Sequence, residues 1–192
     1  MRKVRKTRLP LEKARRMGYN ALKRGVVDMY TLVIPDETML CEIRAYRQAF
    51  LDSGDSMDGT GTLRQRENPT DWIADNIQCA CWETVPKHFV PATQFVYLRE
   101  DGRIVGMIQV RHAFNEYLEK YGGHIGYSVH PDERRKGYAS RMLHDVLPRC
   151  KAIGLDRVLI TCDAANEASR RTIQKNVQMI EESKRLAMIA IA

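Results

Sequence analysis

Long apolar segments are the first thing this sequence lacks. Charges interrupt its hydrophobic runs well before the roughly 18 residues that a membrane-spanning helix needs, so we expect no transmembrane segment and no membrane partner. The start of the chain is basic but has no apolar stretch behind it, which argues against a secretory signal peptide. No internal repeat or low-complexity tract stands out. Together these absences favour a cytoplasmic protein.

Paired cysteines are lacking as well. The five cysteines are scattered and odd in number, which indicates a reducing compartment rather than a disulfide framework. Cys79 and Cys81 alone do not predict a structural zinc site, since no second pair follows at a suitable spacing. Cys162 has no histidine nearby in the sequence that would activate it as a nucleophile. We therefore expect no metal cofactor.

Length and charge indicate one domain with a basic arm. A chain of 192 residues with 44% hydrophobic content can build one core of ordinary size. Residues 1–24 hold ten Lys or Arg against one Glu, a local charge of +9, whereas the whole chain carries +7. We predict a basic N-terminal extension over residues 1–28 and a single domain over residues 29–192. Basic arms are typical of nucleic-acid contacts, but we favour a solvated extension and expect no nucleic-acid partner.

The order of predicted elements is that of a mixed α/β domain. In chain order the pattern predicts a strand at 30–34, helices at about 38–51 and 69–81, a hairpin at 94–99 and 103–111, a strand from 124, a helix from about 139, a strand at 157–162, a helix opening near 163, and two short strands around 178–181 and 184–191. Asp36 and Asn68 are predicted helix N-caps. Asp101-Gly102 is a strong signal for a two-residue hairpin turn.

The segment from Gly126 to Leu143 is the most informative one. A strand of period two runs into a basic turn and then into a helix with one apolar face. The first turn of a helix leaves backbone N–H groups without partners, and phosphate groups bind there. Gly137 allows close approach of the backbone and Ala139 adds little bulk. The positive side chains around the turn are those of Arg134, Arg135 and Lys136.

Two short motifs carry a family resemblance. The order Arg134-x-x-Gly137-x-Ala139 resembles the pyrophosphate-binding signature of the GNAT superfamily of N-acetyltransferases, and Asn166-x-x-Ser169 resembles a second element of that superfamily. The resemblance runs from about residue 30 to residue 182 and points to a branch of predicted bacterial acetyltransferases. It implies a GNAT fold, which is an α/β fold whose mixed central sheet has splayed parallel fourth and fifth strands and flanking helices.

The resemblance also implies acetyl-CoA as the acyl donor. The residues implied at the donor site are Val129, Arg134, Arg135, Lys136, Gly137, Tyr138, Ala139, Ser140, Asn166 and Ser169. Backbone amides from 135 to 140 would hold the pyrophosphate, and the amide of Val129 would polarise the thioester carbonyl. The implied reaction is direct attack, in a ternary complex, by a primary amine of a small molecule or a protein.

A protonated amine must lose a proton before it attacks, and His124 is the first candidate for the catalytic base. It shares a strand face with Gly126 and Ser128, near the place where related enzymes carry an acidic base, and its intrinsic pKa suits neutral pH. The alternative is that His124 hydrogen-bonds a neighbouring loop, and both interpretations stay open. His130 is expected near the cofactor or solvent. Asp163 is expected to cap the following helix.

The end of the chain departs from many relatives. Several related enzymes use a late tyrosine as acid toward the leaving thiolate, whereas the last tyrosine here is Tyr138. Val177 stands where relatives usually have glycine. Either solvent protonates the thiolate or the activity is weakened, which makes an acyl-CoA-binding regulatory or catalytically degenerate protein the alternative function. The acceptor pocket is then either open or completed by another subunit, as in a homodimer.

Overall fold

The computed structural model describes residues 30–183 and 187–189, whose strands form one six-stranded sheet in sequence order. The strands are β1 (Tyr30–Val33), β2 (Ala92–Arg99), β3 (Ile104–Arg111), β4 (Ile125–Val129), β5 (Val158–Ile160) and β6 (Ala187–Ile189). The helices are α1 (Leu40–Ser53), α2 (Pro69–Gln78), α3 (Tyr138–Ala152) and α4 (Glu167–Ser183). The predicted basic extension over 1–28 lies outside the described residues.

The sheet is mixed, as predicted. Strands β1 to β4 pair antiparallel, and the pairs β4–β5 and β5–β6 are parallel. Helix α3 makes the crossover from β4 to β5, because parallel neighbours need a long connection. The predicted α/β class with parallel fourth and fifth strands is therefore confirmed.

Strands β4 and β5 share only a short pairing. The register joins Ile125 to Ile160, which is the last residue of β5, while β4 continues to Val129. Within the described residues, the second half of β4 thus has no strand neighbour on that side. We call the space beside it the β4–β5 gap.

Each face of the sheet carries its own apolar core. Helix α3 packs Met142, Leu143 and Val146 against one face, where Ile108 and Ile125 are also buried. The opposite face is covered by α1 and α2 through the buried side chains of Tyr46, Phe50 and Trp72. Burial of each large apolar side chain contributes about 1.5–3 kcal/mol, so both layers fix the sheet firmly between helices.

Local capping signals are confirmed. The Asp36 side chain accepts a hydrogen bond from Thr38 N at 2.9 Å, and that of Asn68 accepts one from Thr70 N at 3.1 Å. Helix α2 then ends at Gln78, before the predicted limit of 81. Both caps depend on residues two positions apart, which explains why the sequence is sufficient to predict them.

Two predictions near chain reversals were wrong. The β2–β3 loop contains four residues, 100–103, rather than two; Arg99 N donates to Arg103 O at 2.9 Å, and Gly102, at φ 83°, lies in the turn. The strand predicted at 178–181 is part of α4, which continues to Ser183. That stretch is rich in Gln, Met and Glu, which favour helix over strand. The second predicted strand, 184–191, contains β6.

Candidate active site

The basic turn before α3 has an unusual backbone. Arg135 has φ 63° and is the one non-glycine residue with positive φ in the described part of the chain, and Gly137 has φ 85°. Left-handed residues in such a turn make successive N–H groups converge. The first turn of α3 closes with Arg141 N donating to Gly137 O at 3.2 Å. The N–H groups left without an intrahelical acceptor are those of Tyr138, Ala139 and Ser140.

Two of the three cationic side chains around this turn already have carboxylate partners. Arg134 Nη1 lies 2.7 Å from Asp55 Oδ2, and its hydrogen bond holds the pKa of Asp55 below the ordinary range. Lys136 Nζ lies 2.8 Å from Glu133 Oε2. Arg135 is exposed and has no carboxylate partner within the described residues. The backbone amides and Arg135 are therefore the groups most available to an anion.

Glu133 anchors the turn to the β2–β3 hairpin. Its side chain is 3% exposed and lies 3.0 Å from Arg99 Nη1 and 3.6 Å from Arg103 Nη1, in addition to its contact with Lys136. The hydrogen bond from Lys136, together with the neighbouring positive charges, lowers the pKa of Glu133. A buried carboxylate with three cationic partners stays ionised and fixes the start of the turn.

The side chains of Tyr138 and Ser140 point away from the turn. Tyr138 is buried, its hydroxyl shares a 2.8 Å hydrogen bond with that of Tyr30, and burial raises its pKa to about 12. Ser140 Oγ accepts a hydrogen bond from Asn176 Nδ2 at 2.9 Å, which joins α3 to α4. These two residues thus offer their main-chain N–H groups to the turn, while their side chains stabilise the helix behind it.

Val129 presents its main chain to the β4–β5 gap. His130 N donates to Val105 O at 3.0 Å, so the main-chain N–H of His130 points to β3. In an antiparallel pair the next residue along the strand points its N–H and C=O to the other edge. Arg134 Nε approaches Val129 O at 3.4 Å on that edge. The N–H of Val129 therefore opens into the gap, on the side where the basic turn begins.

The start of α4 borders the same gap. Asn166 Oδ1 accepts a hydrogen bond from Ser169 N at 3.0 Å and so caps the helix, and Ser169 Oγ shares a 2.8 Å hydrogen bond with Tyr127 on β4. The prediction that Asp163 is the cap was wrong, because its Oδ1 accepts from Ala165 N at 2.7 Å in the preceding turn. Asn166 thus caps the N-terminal end of α4, and Ser169 holds that end against β4.

His124 has its ring engaged by β5. Its Nδ1 accepts a hydrogen bond from Leu159 N at 2.9 Å, and its ring centroid lies 4.0 Å from that of Phe114. Burial and the positive charge of Arg111 lower the pKa of His124. A neutral imidazole that accepts through Nδ1 carries its proton on Nε2 and keeps no free lone pair. This geometry supports the alternative interpretation, a hydrogen bond to a neighbouring segment.

His130 is buried rather than solvent-facing. It is 5% exposed, its Nδ1 accepts from Asp132 N at 3.3 Å, and its ring packs edge-on against Tyr46 at 5.6 Å. Tyr46 in turn donates to Ser128 O at 3.0 Å. Of the two predicted positions for His130, the one near solvent is wrong because α1 covers this end of β4, and the one near the cofactor stays a prediction.

Sequence reasoning missed a row of polar side chains on the sheet face that carries His124. Gln94 and Gln109 are register partners, Gly126 lies opposite Gln109, and Arg111 is the next residue of β3 on that face. We call Gln94, Gln109, Arg111 and His124 the polar floor. The sequence signal that could have found it is the pair Gln109 and Arg111, two polar residues at alternate positions of the otherwise apolar strand β3.

The loop over residues 54–62 covers this floor. A Cβ on Gly59 would lie 2.1 Å from Gly126 O, so the two backbones are in direct contact. Trp72 Nε1 donates to Thr60 O at 2.7 Å, and Gln94 Nε2 donates to Gly59 O at 2.9 Å. The predicted loop is therefore confirmed as a loop, and it packs tightly against β4.

The described residues contain neither a metal-binding cluster nor a membrane-spanning helix. No group of three or more His, Cys, Asp or Glu side chains in this part of the chain is arranged to hold a metal ion. None of the helices in the same part is long and apolar enough to cross a membrane.

Solved structures with a similar fold include three acetyltransferases. The microcin C7 self-immunity acetyltransferase MccE, solved with acetyl-CoA and AMP, is 17% identical, with 78% of this chain and 78% of that chain covered and a TM-score of 0.50. The dodecameric spermidine N-acetyltransferase from Vibrio cholerae is 11% identical, with 77% and 78% covered and a TM-score of 0.49. The ribosomal-protein-S5-alanine acetyltransferase from Vibrio fischeri is 16% identical, with 67% and 69% covered and a TM-score of 0.44. At 17% identity the likeness to MccE concerns the fold alone.

The comparison with curated proteins found no match. A protein-family model, described as the acetyltransferase (GNAT) family, matches residues 59–177, which is more than half of the chain. The match includes the whole of β4, the basic turn and the Asn-x-x-Ser motif. The chain belongs to the GNAT family of acetyltransferases.

Proposed function

We propose that this protein is an N-acetyltransferase that moves the acetyl group of acetyl-CoA to a primary amine by direct attack in a ternary complex. One observation carries the proposal: the N–H of Val129 lies on the edge of β4 that faces the gap, and the basic turn that follows this strand leads to the unpaired N–H groups at the start of α3. A donor with a diphosphate at one end and a thioester at the other matches that arrangement.

Donor binding would use the main chain first. The N–H groups over 135–140 and the start of the α3 dipole favour a diphosphate, and Arg135 adds an unpaired charge. Arg134 and Lys136 contribute positive potential while their carboxylate partners hold them in place. Asn166 and Ser169 border the gap in which the pantetheine arm would lie.

The acyl transfer itself needs a stabilised oxyanion. The amine nitrogen forms a bond to the thioester carbon, and the carbonyl oxygen takes the negative charge. The N–H of Val129 would donate to that oxygen, a contribution of about 3 kcal/mol for one well-placed donor. Collapse of the intermediate breaks the C–S bond, and the thiolate leaves with the electron pair.

Two protons must also move. Because the Nδ1 lone pair of His124 accepts from Leu159 N, we assign this histidine a positioning role at the start of β4. A water molecule would then remove the proton of the amine. Burial raises the pKa of Tyr127 to about 12, so its phenol stays protonated at neutral pH beside the gap. Tyr127 would donate to the leaving thiolate, in place of the late tyrosine that the sequence lacks.

The alternative is an acyl-CoA-binding protein without turnover. The engaged ring of His124 favours it, since no free imidazole lone pair then serves as base at this end of β4. Calorimetry with acetyl-CoA and a thiol-release assay with a panel of amines separate the two functions. We expect binding and amine-dependent release of CoA. Binding without release of CoA would support the alternative. If neither wild type nor Arg135→Glu binds acetyl-CoA, both functions are overturned.

A further inference from the structure

Arg111 carries a partly buried charge that lacks a carboxylate partner. Its Nη1 donates to Gly122 O at 2.8 Å and to Gly123 O at 3.2 Å, and no acidic side chain in the described part of the chain lies within salt-bridge distance of it. Burial lowers the pKa of its guanidinium. A desolvated charge is costly unless an anion pairs with it. Arg111 therefore lacks an anionic partner that would offset the cost of burying its charge.

The free side of the guanidinium faces β4. Nη2 lies 3.3 Å from the position that a Cβ would take on Gly126, and it makes no hydrogen bond within the described residues. Because Gly126 has no side chain, Nη2 lies beside bare backbone on the polar floor. Gly59 of the covering loop packs on the same glycine, so Nη2 is the part of Arg111 that a ligand would have to reach beside that loop.

Other polar side chains lie against the loop that covers the floor. Gln109 Nε2 and the side chain of Asn76 both lie around Gly61, in the loop that covers the floor. Asn76 Nδ2 is buried and has no hydrogen-bond partner in the described structure. Asp58 interacts with Arg111 through its charge but makes no ion pair with it. Asn76 Nδ2 is thus one further donor without a partner beside the same loop.

We infer that Arg111 binds a carboxylate of the acceptor, so that the acceptor is a small amino acid-like molecule with both a primary amine and a carboxylate. The inference rests on the proposed function and names its substrate class. Arg is suited to this role because its planar fork matches a carboxylate through two hydrogen bonds.

The spacing along β4 agrees with a small acceptor. Gly126, beside Nη2 of Arg111, is three residues from Val129, about 10 Å at the rise of a strand. The acetyl group bound at Val129 and the carboxylate bound at Arg111 occupy most of that length. The amine and carboxylate of the acceptor are therefore separated by a few bonds. A polyamine, which carries positive charges alone, would meet a like charge at Arg111 and be disfavoured.

The test compares matched acceptors in the thiol-release assay. The probes are the common L-amino acids, their carboxamides and spermidine, with wild type, Arg111→Gln, Arg111→Lys and the exposed control Arg44→Gln. We expect wild type to prefer an amino acid over its carboxamide. Arg111→Gln should lower kcat/KM about 10- to 100-fold for the amino acid and little for the carboxamide. Arg111→Lys, which keeps the charge, should lose less, and Arg44→Gln should match wild type.

Several outcomes would overturn the inference. Wild type that acetylates carboxamides or spermidine as well as amino acids would exclude it even if Arg111→Gln failed to fold. Equal losses on amino acids and carboxamides would indicate that Arg111 only holds the loop at Gly122 and Gly123.

If the protein is not an acetyltransferase, the assay gives a result that differs from those above. In that case no probe is acetylated, and calorimetry on the CoA-loaded protein decides the inference by itself. Binding of an amino acid that Arg111→Gln abolishes would support the carboxylate site without turnover. Absence of such binding would overturn the site as well.

Discussion

The phenol of Tyr127 and the hydroxyl of Ser169 share a hydrogen bond of 2.8 Å across 42 residues of sequence. The bond links β4 to the first turn of α4 at the border of the β4–β5 gap. It holds the partly buried phenol, whose pKa is raised to about 12 by burial, at that border. This position and protonation state agree with the proton donor proposed above.

Replacing Tyr127 by Phe removes that donor and keeps most of the packing. We expect kcat to fall about 10- to 100-fold, at or below the usual contribution of about 10²- to 10⁴-fold for a general acid, because a thiolate already leaves readily. The dissociation constant of acetyl-CoA, measured by calorimetry, should change little. Ser169→Ala, which keeps the phenol, should have the smaller effect on kcat. A Tyr127→Phe enzyme with wild-type kcat would contradict the role.

Gly137 can be compared directly with Gly54. Both have positive φ, 85° and 69°, and a Cβ on either would meet nothing within 4 Å. Replacement of each by Ala should therefore cost about 1 kcal/mol of unfolding free energy, from backbone strain alone. Only Gly137→Ala should weaken acetyl-CoA binding, by about tenfold, because it disturbs the converging amides. Urea unfolding and calorimetry measure the two effects, and equal affinities in the two variants would contradict the assignment of the turn.

Glu133 should make the stability of the domain depend on acidic pH. Its pKa is lowered in the folded state, so it contributes stability above the unfolded carboxyl pKa of about 4.3 and loses that contribution as the pH falls through the folded value. We expect Glu133→Gln to reduce the free energy of unfolding by about 1–2 kcal/mol at pH 7, less than for a fully buried pair because the cations are partly exposed. The difference from wild type should disappear at low pH.

The neighbouring Asp132 supplies the control for that measurement. Its side chain is 74% exposed and lies 3.3 Å from Arg103 Nη2. Exposed ion pairs contribute little, so Asp132→Asn should leave the unfolding free energy within about 0.5 kcal/mol of wild type. A Glu133→Gln deficit that stayed constant from pH 7 to pH 3 would show that lost packing, and not lost charge, is responsible.

Gly59 is the tightest backbone contact of the polar floor. A Cβ there would overlap Gly126 O at 2.1 Å, whereas a Cβ on Gly102, at a similar positive φ, meets nothing within 4 Å. Gly59→Ala should therefore destabilise the domain by about 2 kcal/mol or more beyond Gly102→Ala, since backbone atoms must shift. Denaturant unfolding of the two variants measures the difference. Similar values would mean that the loop over 54–62 relaxes freely.

What the sequence predicted well is local. The basic turn, the helix that follows it and the caps at Asp36 and Asn68 depend on neighbours within a few positions, and their periodicity is visible in the chain. The polar floor was not predictable in this way, because the contact of Gln94 with Gln109 depends on the register of two strands. His124 and its partner Leu159 are 35 residues apart, so no local pattern could decide between a base and a structural contact.

The early end of β5 exposes the main chain of β4 along the gap. An unpaired strand edge is a site where another chain can add itself, and proteins usually protect such edges. An extended pantetheine arm would protect this one in the way that an added peptide strand does. The donor would then be a surrogate strand as well as a reactant, and the protein would be most prone to edge-to-edge aggregation when its donor is absent.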